Sequence, residues 1–181
     1  MVEDELFAIV DAVLRPIGSL PDPGEEFRDP PLDVVRYYQR PVRLHWVPFF
    51  GRALSVVAVA RQPVDIALST DGYRQFLRRL AMAANGRYPP WHRRRGLVIA
   101  MTTMVLTPEP MGPDDDAILQ TAFVRLARMR AVPLGLIRLN LGQEAMSFAL
   151  ASGPGDLFPE PIALADALTQ HFRRFVPILG N

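Results

Sequence analysis

The stretch ALSVVAVA, Ala53 to Ala60, decides the fold. Its valines favour an extended strand, and because it is apolar at odd and even positions alike, both of its faces must be covered. A strand covered on both sides lies inside a sheet with helices above and below it. LVIAMTTMVL, Leu97 to Leu106, has the same character and predicts a second covered strand, ended by Pro108, Pro110 and Pro113.

Working outward from Ala53, the β-branched and aromatic run Val42–Phe49 predicts a strand that pairs with Ala53–Arg61 as a hairpin across Phe50, Gly51 and Arg52. Downstream, Ser69, Thr70 and Asp71 offer caps for a helix over Gly72–Ala84, closed by Asn85 and Gly86. At 100° per residue its inner side holds Tyr73, Phe76, Leu77, Leu80, Ala81, Ala83 and Ala84, and its outer side Arg74, Gln75, Arg78, Arg79 and Met82.

A further helix is predicted over Asp114–Arg130, with Ile118, Leu119, Ala122, Phe123, Leu126 and Met129 inward. Leu134–Leu141 and Glu144–Ala151 predict a hairpin whose two-residue turn, Gly142-Gln143, suits type II′. The last helix is expected from Pro161 to Phe175, burying Leu164, Leu168, Phe172 and Phe175.

At the other end, Leu6, Ile9, Val10, Val13 and Ile17 define an amphipathic helix over residues 1–17, with Glu3, Asp4 and Glu5 where the helix dipole favours acids. Residues 18–41 hold Pro21, Pro23, Pro30 and Pro31 and predict an irregular connection, with room for a helical turn over Leu32–Tyr38. Together these elements predict an α/β (α+β) fold: one domain over residues 1–181, a sandwich in which packed helices cover a mixed sheet with two hairpins, its core in residues 42–181.

Composition sets outer bounds. A chain of 181 residues, 49% apolar and 22% charged, suits one globular domain. The acidic start MVEDELF is unlike a secretory signal, and no apolar run reaches the ~18 residues of a membrane span, so a soluble, cytoplasmic protein without a membrane partner is expected. With no cysteine, disulfides, thiolate nucleophiles and cysteine-ligated metals are excluded. All 20 basic side chains are arginine, so Schiff-base chemistry and a phosphate-loop lysine are excluded as well.

The net charge of +1 hides a partition. Residues 1–35 carry nine acids and two arginines, residues 36–95 twelve arginines and two acids, and the remainder six arginines and eight acids. The middle block therefore calls for an anionic counterpart, either the acidic N-terminal segment or a partner.

Catalytic templates fit poorly. Asp114, Asp115 and Asp116 are adjacent on a helix, point about 100° apart and cannot converge on one ion, so they are expected to complement the positive helix end. Ser152-Gly153-Pro154-Gly155 has Phe158 where a dinucleotide fingerprint needs glycine, and reads as a turn. His45, His92 and His171 form no paired metal motif, and no serine lies in a GxSxG elbow. No metal, cofactor or catalytic residue is assigned.

What remains is GRYPPWHRRRG, Gly86 to Gly96. With Arg74 and Arg78 on the preceding helix, Tyr88, Trp91, His92, Arg93, Arg94 and Arg95 combine guanidinium forks with flat aromatic area. The mid-chain arginines are expected to gather here as the surface of a non-catalytic binding or adaptor domain for an acidic protein partner or subunit. The same surface would serve a nucleic-acid-binding domain. A third reading is an enzyme with a dispersed site drawn from His45, His92, Glu109, Asn140 and Glu144. A homo-oligomer formed through a sheet edge is a further expectation.

Overall fold

Val56, Ala58 and Ala60 turn to one side of the sheet, Val57 and Val59 to the other, and all five are buried. This double cover is what their apolar alternation requires. The structure, a computed structural model, describes residues 1–22, 33–43, 52–63, 68–87, 97–122, 131–151 and 156–174.

In chain order the elements are α1 (Glu3–Ile17), β1 (Leu20–Pro21), β2 (Asp33–Arg43), β3 (Arg52–Arg61), α2 (Thr70–Gly86), β4 (Val98–Leu106), α3 (Asp115–Ala122), β5 (Ala131–Asn140), β6 (Ala145–Leu150), α4 (Glu160–Leu168) and β7 (Arg173–Arg174). The fold is α/β. Seven strands form one open mixed sheet whose spatial order follows the chain, β1 to β7. The centre, β3-β4-β5, is parallel; β2 and β6 flank it antiparallel, and β7 runs parallel to β6.

Parallel neighbours need crossovers, and α2 and α3 provide them. Both pack on one face against Val56, Ala58, Ile99, Met101, Val105 and Leu136. The opposite face, with Val57, Val59, Met104, Ile137 and Leu139, is covered by α1 and α4. The inner side of α2 reads as its spacing predicts, with Tyr73, Phe76, Leu77, Leu80, Ala81 and Ala84 buried. Ser69 caps it, its side chain accepting from the Gly72 N–H at 3.0 Å. No helix among the described residues is long and apolar enough to cross a membrane.

Four expectations are corrected. Residues 33–41 are neither irregular nor helical: they form most of β2, whose Val34, Tyr37, Tyr38 and Val42 are buried. The prolines misled because Pro21, Pro23, Pro30 and Pro31 all precede Asp33, and β2 itself holds only Pro41, beyond the two residues that pair with β1. The first hairpin is therefore β2 with β3, closing at Arg43↔Arg52, and the rest of the predicted Val42–Phe49 strand lies outside the described residues.

The β5–β6 turn is the third correction. Asn140 pairs with Ala145, so the loop has four residues, with Glu144 at φ 49° and the Gln143 N–H donating to Asn140 Oδ1 at 2.9 Å. The asparagine side chain folds this turn in place of a positive-φ glycine. Lastly, the final helix stops at Leu168, and Arg173–Arg174 extends the sheet as β7. Within the predicted Asp114–Arg130 helix, α3 covers Asp115–Ala122 and residues 123–130 lie outside the description.

Gly135 marks where α4 comes closest to the sheet. A Cβ there would stand 3.1 Å from Pro161 Cβ, 3.2 Å from Thr102 Cγ2 and 3.3 Å from Leu150 Cδ2. Such crowding against a helix and two strands is overpacking, so Gly135→Ala is expected to destabilise the fold by about 1–3 kcal/mol. Urea denaturation measures this, and an unchanged midpoint would show that α4 shifts freely.

Candidate functional site

Of the predicted arginine–aromatic surface, Arg74 and Arg78 are described; Tyr88, Trp91, His92, Arg93, Arg94 and Arg95 lie outside the described residues. Arg74 is half-buried, meets Asp71 Oδ1 at 3.3 Å and donates to the Thr121 carbonyl of α3 at 2.9 Å. Arg78 is exposed and has no hydrogen-bond or ion-pair partner among the described residues. Gln75 and Met82 are exposed beside it, Met82 at 62%.

Arg79 lies beside them on α2, whereas Arg36, Arg40, Arg61 and Arg87 are engaged elsewhere, so among the described residues the patch is narrower than the expected gathering of all mid-chain arginines. Arg61 lies against Glu3 at 2.8 Å and Asp33 at 2.9 Å, Arg87 against Asp22 at 2.9 Å, and Arg40 against Glu160 at 2.7 Å. Arg36 stacks on Phe7, its Cζ 4.6 Å from the ring centroid. Asp11 accepts from the Tyr38 hydroxyl at 2.6 Å. Part of the charge partition is thus neutralised within the chain, at Arg61 and Arg87, by acids of the N-terminal block.

A second polar cluster lies at the carboxyl end of the parallel strands. Arg138 of β5 is fully buried and pairs with Asp115, the first residue of α3, and with Glu109 at 2.8 Å. Asn140 donates to the Glu109 carbonyl at 2.8 Å and to the Pro108 carbonyl at 3.3 Å. The neighbouring Asp116 accepts from the Phe148 N–H of β6 at 3.3 Å and pairs with Arg174 of β7 at 2.8 Å. Arg174 also lies over the Phe148 ring, 4.3 Å from its centroid.

These aspartates were expected to complement the positive helix end and do stand in its first turn, but they are also buried, with only 2% of Asp115 and 7% of Asp116 exposed. The clue was in β5: a lone arginine in the apolar run LGLIRLNL demands a buried counter-charge. Chemically the cluster is a tie. Its carboxylates are engaged by guanidinium groups and its amide by backbone, and no group of three or more His, Cys, Asp or Glu among the described residues could hold a metal ion.

Of the dispersed set, Glu109 and Asn140 meet in this cluster. Glu144 stands apart at the hairpin turn, where the terminal ammonium of Met1, 2.9 Å away, holds its carboxyl below the usual range. His45 and His92 are outside the described residues, as is 152–155; His171 is exposed and follows α4 instead of lying within it. An open groove of about 610 Å³ runs along Ala8, Asp11, Ala12, Arg15 and Pro16 of α1. Compared with protein-family models, curated proteins and solved structures, the chain matches none.

Removing Asp115 leaves the fully buried Arg138 with a single counter-charge, the part-exposed Glu109. Asp115→Ala is therefore expected to cost about 3 kcal/mol, whereas Arg61→Gln, which removes two solvent-exposed pairs, should cost about 1 kcal/mol or less. Guanidinium denaturation of the two variants measures the contrast, and equal costs would refute it.

Tyr38 and Tyr73 carry a pH dependence. Burial, reinforced at Tyr38 by the hydrogen bond to Asp11, raises both phenols well above their ordinary 10.0. Tyr73 lies within electrostatic reach of Arg138, Glu109 and Asp115, and its hydroxyl donates to Gln62 Oε1 at 3.3 Å. The folded chain keeps these protons where the unfolded chain has lost them. Their contribution is intact below pH ~10 and falls away as pH rises beyond it. Unfolding free energy followed by urea titration should decline above that pH, and Tyr38→Phe/Tyr73→Phe should flatten the slope.

Proposed function

We propose that the chain is a non-catalytic binding domain that holds an acidic protein partner or subunit on the outer face of α2, continued in sequence by Tyr88–Arg95. The observation that carries this reading is Arg78: an exposed guanidinium with no partner among the described residues, beside exposed Gln75 and Met82. Of the six described N-terminal acids, Glu3, Asp11, Asp22 and Asp33 are engaged by Arg61, Tyr38 and Arg87, which leaves Asp4 and Glu5 at the start of α1 and favours a counterpart from another chain.

The engagement of Glu109, Asp115 and Asn140 in the Arg138 tie weighs against a catalytic role for these groups. A nucleic acid could address the same arginines, and salt separates the two readings: phosphate binding weakens steeply and log-linearly as salt rises.

The test is fluorescence anisotropy with labelled poly-glutamate and with oligo-dT across a salt series. Poly-glutamate is expected to bind, and Arg74→Glu/Arg78→Glu, like Arg93→Ala/Arg94→Ala/Arg95→Ala, to weaken it about tenfold or more while leaving the thermal midpoint nearly unchanged. Wild-type affinity in both variants refutes the proposal, and oligo-dT binding with a steep salt slope in place of poly-glutamate binding transfers the site to nucleic acid.

A further inference from the structure

The exposed positions of α2 follow a pattern of their own. Asp71, Gln75, Arg78 and Met82 are the outward residues ahead of the terminal Gly86, and their spacing of four, three and four is that of a coiled-coil seam. On a helix rising 1.5 Å per residue they form a straight stripe about 16 Å long. Half-buried arginines border it: Arg74 leans toward α3 through the Thr121 carbonyl, and Arg79 lies on the other side. In a paired helix such flanking positions are those that meet charges of the facing helix.

The stripe itself is not uniformly polar. Met82, 62% exposed, offers an unbranched, polarizable thioether that adapts to an apolar neighbour, one turn beyond the exposed Arg78. A purely electrostatic partner would leave Met82 in water, and a purely apolar one would desolvate Arg78 without compensation. The occupant must supply both chemistries at helical spacing.

Resting on the reading above, we infer that the segment seated on α2 is an acidic amphipathic helix of another protein, its carboxylates facing Arg74 and Arg78 and an apolar side chain covering Met82. A second copy of this chain fits less well. Its own acid-led helix, α1, covers the face of the sheet opposite α2, so seating α1 of one copy on α2 of the next gives a head-to-tail contact in place of a two-fold pair. Glu3 of α1 is in addition held by Arg61.

Two synthetic peptides of identical composition separate these ideas. Both carry glutamate and leucine at heptad spacing; the second has D-residues at alternate positions, which abolish the helix without changing charge. In anisotropy titrations the helical peptide should bind about tenfold tighter or more, and Met82→Glu and Arg78→Glu should each weaken it about tenfold. Arg43→Glu, a charge reversal at the exposed end of β2, should not weaken it, and circular dichroism should report helix gained on binding.

If both peptides bind equally and Arg78→Glu weakens both, the α2 face stands as an acidic-partner site and the helical partner is overturned. If neither peptide binds, both readings fall. If the chain grows into larger particles with concentration, and Met82→Glu abolishes that growth, the occupant is a second copy and the inference is overturned.

Discussion

A guanidinium with no exposed surface, Arg138 near the carboxyl end of β5, constrains how the connections leave the parallel strands. Taking an ion from water costs several kcal/mol, and only nearby opposite charge with good hydrogen bonding compensates. Glu109 provides one carboxylate from the connection after β4 and Asp115 the other from the first turn of α3, so both segments are held where their side chains reach β5. Once Asp115 is placed, Asp116 beside it reaches β6 and β7. The second negative charge on Arg138 is eased by its position, since Asp115 begins a helix whose N-terminal dipole is positive.

The parts of this fold that could be read from sequence are those governed by local periodicity. Val56 to Ala60 announce a doubly covered strand because consecutive residues must each find an apolar neighbour, and the inner and outer sides of α2 separate on spacing alone. What escaped was set by distant neighbours. The partners of Arg138 lie 23 and 29 positions upstream and become visible only when the order of the strands is known. Residues 33–41 were read with the prolines that precede them, and their strand character shows only in their pairing with β3, again a fact of assembly.

The same distinction explains the charges. In sequence, the acids of residues 1–35 and the arginines of 36–95 look like two opposed blocks awaiting a partner. In space, Glu3 of α1 and Asp33 of β2 meet Arg61, Asp22 after β1 meets Arg87 at the end of α2, and Glu160 of α4 meets Arg40, so part of the imbalance is neutralised pair by pair. The outer side of α2 is legible as cationic in both views, and it is there that the helix spacing leaves Arg78 and Met82 turned outward.

The two faces of the sheet differ in when they can be completed. One is filled by α2 and α3, which lie between the strands they cover; the other needs α1 and α4, the first and last helices along the chain. As the polypeptide leaves the ribosome, the first face can pack as soon as β5 emerges, while Val57, Met104 and Ile137 stay half-covered until Leu164 and Leu168 follow. The nascent chain therefore passes through a stage with a sticky flank, and prompt docking of α4 is what shields it from clumping with its neighbours.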